Sequence, residues 1–147
     1  MSSDAISISD AAAIAIHTVA MLASRERRLA STKTMAETLH VSQTHLAKVM
    51  QRLVKSGLVK SVRGPQGGFS LAKDSNSITL LEVYEAIEGP FTLRECLFRH
   101  KVCKGGCGMK NLVDSVNGEV LRHFTVTTVS DLVSSQKNVN PYSTNPK

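Results

Sequence analysis

Three cysteines, Cys96, Cys103 and Cys107, fall in one twelve-residue run, CLFRHKVCKGGC, and the chain has no others. Six residues separate the first pair and three the second, and Gly105-Gly106 gives the run freedom to wrap around an object. An odd, clustered count argues against a disulfide framework and for metal ligation or redox chemistry. Arg94, Arg99, Lys101, Lys104 and Lys110 surround the thiols, with one acid, Glu95. Such a field is expected to lower thiol pKa values and to offset the charge of a thiolate-ligated centre. The residues leave three chemistries open. One is an iron–sulfur cluster on the three thiolates plus another ligand. Another is zinc, with His100 completing a Cys₃His set. The third is a metal-free switch that works by thiol oxidation.

A second constellation lies upstream. Ser42, Gln43, Thr44 and His45 open an amphipathic segment that continues with Lys48, Arg52 and Lys55 on its polar side. A helix of about 10–12 Å diameter fits the major groove of duplex DNA, its first residues reaching base edges and its N–H groups pointing at phosphate. Gln43 can pair with an adenine edge, Thr44 can donate or accept, and Lys48 and Arg52 are spaced for phosphates. Arg63, Gly64, Gln66 and Gly67 follow in a loop whose small residues allow close approach to the sugar-phosphate chain; Arg63 suits a narrow minor groove. Thr32, at the start of the preceding helix, completes the expected DNA-contacting set.

These groups need elements to hold them. Residues 6–22 are apolar nearly all round and predict a helix buried on several sides, followed by a polar turn over 24–29. Ser31 or Thr32 can cap a short helix to Leu39, with Met35, Ala36 and Leu39 on its apolar side. His40-Val41 breaks it. Ser42 caps the next helix to Lys55, with Leu46, Val49, Met50 and Leu53 at helical spacing, and Gly57 stops it. The period then drops to two over 58–63, a glycine-rich turn spans 64–68, and 69–71 returns as a strand. Thr79 caps a helix to Ile87 with Leu81, Tyr84 and Ile87 as core positions, before Gly89-Pro90. From Met109 a long helix places Met109, Leu112, Val113, Val116, Val120 and Phe124 on one stripe, which suits pairing of two copies. The expected fold is mainly α with a small β-hairpin wing. Residues 1–90 form a winged helix-turn-helix, 91–108 a sensor loop, 109–133 a dimerisation helix and C-terminal segment, and 134–147 a polar, disordered tail.

The whole-chain numbers agree. The 147 residues suit one domain, and 41% hydrophobic residues without tryptophan predict an aliphatic core. Eighteen Lys and Arg against twelve Asp and Glu leave a net charge of +6, which favours a polyanionic partner. No apolar run is long enough to span a bilayer, and the first residues lack the pattern of a signal peptide, so a cytoplasmic setting without membrane attachment is expected. No Ser/His/Asp set, phosphate-binding glycine loop or paired carboxylates point to an enzyme.

Residues 35–72 (MAETLHVSQTHLAKVMQRLVKSGLVKSVRGPQGGFSLA) resemble the Rrf-two family of bacterial winged helix-turn-helix regulators, which includes the IscR, NsrR and CymR types. Residues 15–22 and 80–89 look like that family's first helix and the helix after its wing, and 129–132 is similar to the segment after its long dimerisation helix. The likeness covers about residues 6–133. Its most diagnostic part is Val62-Arg63-Gly64 to Gly67-Gly68-Phe69 followed by the three-cysteine loop. The resemblance implies a homodimeric repressor on a partly palindromic double-stranded DNA operator. Its binding would be controlled by a [2Fe-2S] or [4Fe-4S] cluster on Cys96, Cys103 and Cys107 that senses iron, redox state or nitric oxide. Relatives take a fourth ligand from a histidine just after the third cysteine, or from an acidic residue or histidine in the partner's first helix. No histidine closely follows Cys107 here; His17 and Asp10 fall in the first helix, and His100, inside the loop, is the local alternative. Many relatives have five residues before the third cysteine, against three here. The alternative is a cluster-free regulator that responds through thiol oxidation or through a protein or small-molecule partner.

Overall fold

Four successive helices each open on a hydroxyl residue that accepts a backbone N–H from its own first turn, satisfying a donor the helix leaves orphaned. Ser9 caps α1 (Asp10–Ser24), Ser31 caps α2 (Thr32–Leu39), Ser42 caps α3 (Gln43–Lys55) and Thr79 caps α4 (Leu80–Glu88). In the computed structural model, which describes residues 8–25, 28–92, 96 and 103–135, these are followed by α5 (Lys110–Val126) and α6 (Val129–Ser135). At α4 the cap is reciprocal: Glu82 N–H donates to the Thr79 hydroxyl and Thr79 N–H to the Glu82 carboxylate. Between α3 and α4 lies an antiparallel hairpin of β1 (Val59–Val62) and β2 (Gly68–Leu71), with Val59 opposite Leu71 and Val62 opposite Gly68.

α1 is central, packed against α3, α4, α6 and β2. Eight of its residues are buried, because an apolar surface nearly all round has to be covered on several sides. α3 lays Leu46, Val49, Met50 and Leu53 into the same core, the four positions its spacing predicts. α2 contributes Met35 and Ala36.

Several expectations shift. α1 begins at Asp10 rather than residue 6, because Ser9 is its cap, and it continues to Ser24. In α4 the buried set is Leu80, Val83 and Ile87, while Leu81 and Tyr84 are half-buried; the core lies a fraction of a turn from the predicted face. The strands cover residues 59–62 and 68–71, and a bridge from Ala30 to Phe69 adds a third backbone segment where a plain turn was expected. The single stripe expected on α5 divides. Val113 and Phe124 are buried against the protein's own helices, whereas Met109, Leu112 and Val116 face outward. After α5 the chain returns to the core: Leu80 N–H donates to Thr127 O, Val129 N–H donates to Ile78 O, and Val129 is fully buried. Helix α6 includes Ser134 and Ser135, the first residues of the expected tail; residues 136–147 lie outside the described residues, as do 1–7.

Candidate nucleic-acid interface

Helices α2 and α3 are joined by a short break in which His40 adopts a left-handed conformation (φ 54°), its N–H returning to carbonyls of α2. That geometry turns the chain so that α3 starts at the surface. The Ser42 hydroxyl accepts the His45 N–H at 3.1 Å, so its task is to define where α3 begins. Gln43 and Thr44 are exposed on the first turn, and Lys48 is exposed one turn later. They form the polar ridge opposite the buried Leu46–Val49–Met50–Leu53 stripe. Thr32 is the first residue of α2, half-buried, with Ser31 rather than Thr32 serving as the cap. Arg52 is exposed, but one guanidinium N–H donates to the backbone carbonyl of Ile87 in α4 at 2.8 Å.

In the hairpin, Arg63, Gly64 and Gln66 are exposed at the tip. A side chain at Gly67 would place Cβ 2.1 Å from Val62 O and 2.9 Å from Gly64 O, so this tight turn accepts glycine alone. Gly68 lies against Ala30, where a Cβ would come within 2.8 Å of the Ala30 carbonyl oxygen. The Ala30 contact was not foreseen; the Gly-Gly-Phe run was its one local sign, since paired glycines mark close backbone approach.

The cysteines form no disulfide: Cys103 is exposed, and Cys96 and Cys107 are partly covered. Gly105 and Gly106 take positive φ values (96° and 134°) that make the turn between the last two, and Cys107 O accepts the Lys110 N–H where α5 starts. The Cys103 thiol is pushed up, first by the charge of Cys107, then by burial, by a hydrogen bond with Cys107 and by Cys96. The lowered thiol pKa expected from the basic neighbours therefore does not hold at Cys103. Adjacent thiols resist ionisation, since a thiolate beside another disfavours both. Arg94, Glu95, Arg99, His100 and Lys101 lie outside the described residues.

The donor chemistry of three free thiols in one glycine-jointed loop fits a thiolate-bound centre. Among the described residues, however, no three His, Cys, Asp or Glu side chains are grouped so as to hold a metal ion. Asp10 and His17 do come together on one feature. A cleft of about 320 Å³ between α1 and the start of α3 is lined by both, with Ala13, Ile14, Ser42 and His45 among the other residues. His17 is exposed, not the buried structural histidine that its apolar helix suggests.

The chain matches the Rrf2 family, described as iron-dependent transcriptional regulators, over residues 8–135. It is 32% identical over 122 residues to the HTH-type transcriptional regulator NsrR of Bacillus subtilis, covering 81% of this chain and 84% of that protein. It is 31% identical over 115 residues to NsrR of Oceanobacillus iheyensis, covering 76% and 78%. The solved structure of CymR, the global cysteine regulator of B. subtilis, superposes with a TM-score of 0.75 at 26% identity, covering 88% of this chain and 98% of that one.

Proposed function

The chain belongs to the Rrf2 family of transcriptional regulators, and from that premise we propose that it is a homodimeric operator-binding protein whose grip on DNA depends on the state of Cys96, Cys103 and Cys107. The observation that carries this reading is the joint exposure of the α3 first turn and the hairpin tip on a chain of net charge +6. Gln43 and Thr44 read base edges, His45 stands beside them, and Lys48 neutralises phosphate. Arg63, Gly64, Gln66 and Gly67 approach the backbone, and Thr32 does so from the start of α2. Ser42 positions the first turn. The reaction class is binding, and the matched relatives are regulators rather than enzymes. No helix among the described residues is long and apolar enough to cross a membrane, which accords with a cytoplasmic regulator.

The second copy joins through the outward face of α5, where Met109, Leu112 and Val116 are exposed. Two α3 helices held at a fixed separation meet successive major-groove faces, so a small change in their angle alters operator affinity.

For the cysteines, an iron–sulfur cluster is the reading that the family's iron dependence supports. When bound, such a cluster supplies a redox-active, oxygen- and nitric-oxide-sensitive charge centre. Cys96, Cys103 and Cys107 would hold it, with His100 or, from the partner copy's α1, Asp10 or His17 as the fourth ligand. A ligand from α1 would put the group on the cleft that also contains Ser42 and His45. The three free thiols of one loop also support a second reading, thiol oxidation without a metal.

Purification without oxygen, followed by iron, sulfide and zinc analysis and a visible spectrum, separates the readings. Iron and sulfide in equal amounts with visible absorbance are the expected result. Colourless, metal-free protein whose DNA binding responds to peroxide assigns the second. Cys103→Ser is expected to leave the fold intact and abolish the response to iron, oxygen or nitric oxide; an unchanged response rejects cysteine control. Absence of salt-sensitive binding to any duplex rejects the DNA-binding reading itself.

A further inference from the structure

The last turn of α4 is held from four directions. Arg52, in the last turn of α3, donates to the Ile87 carbonyl at 2.8 Å. This is one of the carbonyls a helix leaves without an internal partner at its C-terminus, where its dipole also favours a cation. The next residue, Glu88, accepts a hydrogen bond from the hydroxyl of Ser9, the cap of α1. Phe91 N–H donates to the Glu85 carboxylate at 2.9 Å, which fixes the first residue of the 91–108 segment. The Phe91 ring packs on Tyr84 of α4 and Phe124 of α5, at centroid distances of 5.3 and 6.2 Å. The root of the cysteine loop, the dimerisation helix and α1 therefore all bear on the end of α4, and Arg52 hydrogen-bonds α3 to it.

We propose that Arg52 is a positioning residue: it fastens the end of the recognition helix to α4 and carries displacement of the cysteine loop's root to α3, rather than neutralising a phosphate. The assignment rests on the reading above that the cysteines control operator binding. A guanidinium that stays on a carbonyl oxygen and meets no phosphate displaces no counterion from DNA, whereas a lysine that meets phosphate does. The two roles thus differ in salt dependence. They also differ in coupling, since α3 loses a fixed relation to the loop only in the first.

The experiment uses a duplex selected from a random 30-base-pair pool on the parent protein. Its affinity is measured across a NaCl series for the thiol-reduced, metal-free protein and again after loading with iron and sulfide. Parent, Lys48→Gln, Arg52→Gln and Arg52→Met are compared, the last keeping the aliphatic stem; thermal melts confirm folding. Lys48→Gln is expected to flatten the plot of log affinity against log salt by about 0.9 for each phosphate left without its cation, and to keep the affinity ratio between the two states. Both Arg52 variants are expected to keep the parent slope while that ratio falls from about tenfold to under about twofold. Arg52 variants that flatten the slope and keep the ratio overturn the proposal. A parent protein with no ratio at all refutes control by a bound cluster. The slope measured on metal-free protein then still decides Arg52's role, unchanged for a positioning residue and flattened for a phosphate-binding one.

Discussion

Thr18 is fully buried in α1, and its hydroxyl has no hydrogen-bond partner among the described residues. A buried, unpaired hydroxyl costs about 1–3 kcal/mol of desolvation that nothing repays. Thr18→Val keeps the shape and removes the polar atom, so it is expected to stabilise the fold by about 1 kcal/mol and raise the melting midpoint by about 3 °C in a thermal melt. A lower midpoint would mean that the hydroxyl is paired in solution. Asp131 makes the opposite case. Its carboxylate accepts the Thr128 N–H and hydroxyl, both at 2.8 Å, and the backbone bond and then the hydroxyl hold it below the usual carboxylate range. A carboxyl lowered in the folded state stabilises fully above its ordinary value of 3.8 and loses that contribution as pH falls through the lowered folded value. Asp131→Asn is therefore expected to lower the melting midpoint at neutral pH and to narrow the gap from the parent as pH drops from about 5 to about 2. A gap that widens in acid would refute the cap. The same T-x-x-D spacing is visible in the sequence, as is the T-x-x-E of α4, because a capping box involves residues three apart.

Among the elements, the hairpin is most sharply constrained. Its turn closes so tightly at Gly67 that an added methyl meets Val62 O at 2.1 Å, and that backbone oxygen cannot swing aside. Gly67→Ala is expected to cost about 2 kcal/mol and to weaken DNA binding about tenfold while the helical circular dichroism signal stays unchanged. Full affinity in a folded Gly67→Ala variant would show that the wing does not touch DNA. The glycine pattern was legible as a turn, but the reason for Gly68 was not. Its neighbour is Ala30, in a segment 38 positions earlier whose polar surroundings resemble an ordinary loop. Local composition carries no record of such a pairing.

For the whole molecule, the question is how two copies meet. Leu112 is 53% exposed on α5, so a charge there leaves the monomer's core untouched while placing an unpaired carboxylate in the proposed interface. Leu112→Glu is expected to shift the sedimenting mass from twice 15.9 kDa to 15.9 kDa and to cost operator affinity, with the melting profile of the monomer retained. A Leu112→Glu protein that stays dimeric would place the interface elsewhere.

Taken alone, the residue order determined what depends on near neighbours. Helical spacing in α3 named the four residues that are buried, hydroxyl positions marked the starts of α2, α3 and α4, and paired glycines marked the wing. These follow because a helix turns every 3.6 residues and a cap reaches only to its own first turn. Tertiary structure alone decided matters of distance along the chain. It turned Val113 and Phe124 inward and left Leu112 and Val116 outward on a helix whose apolar residues look alike in sequence. It set Asp10 and His17 on one cleft with His45, and it gave Arg52 a carbonyl 35 residues away. An arginine's charge can be read from the sequence, but what it binds depends on which orphaned acceptor the fold brings within reach.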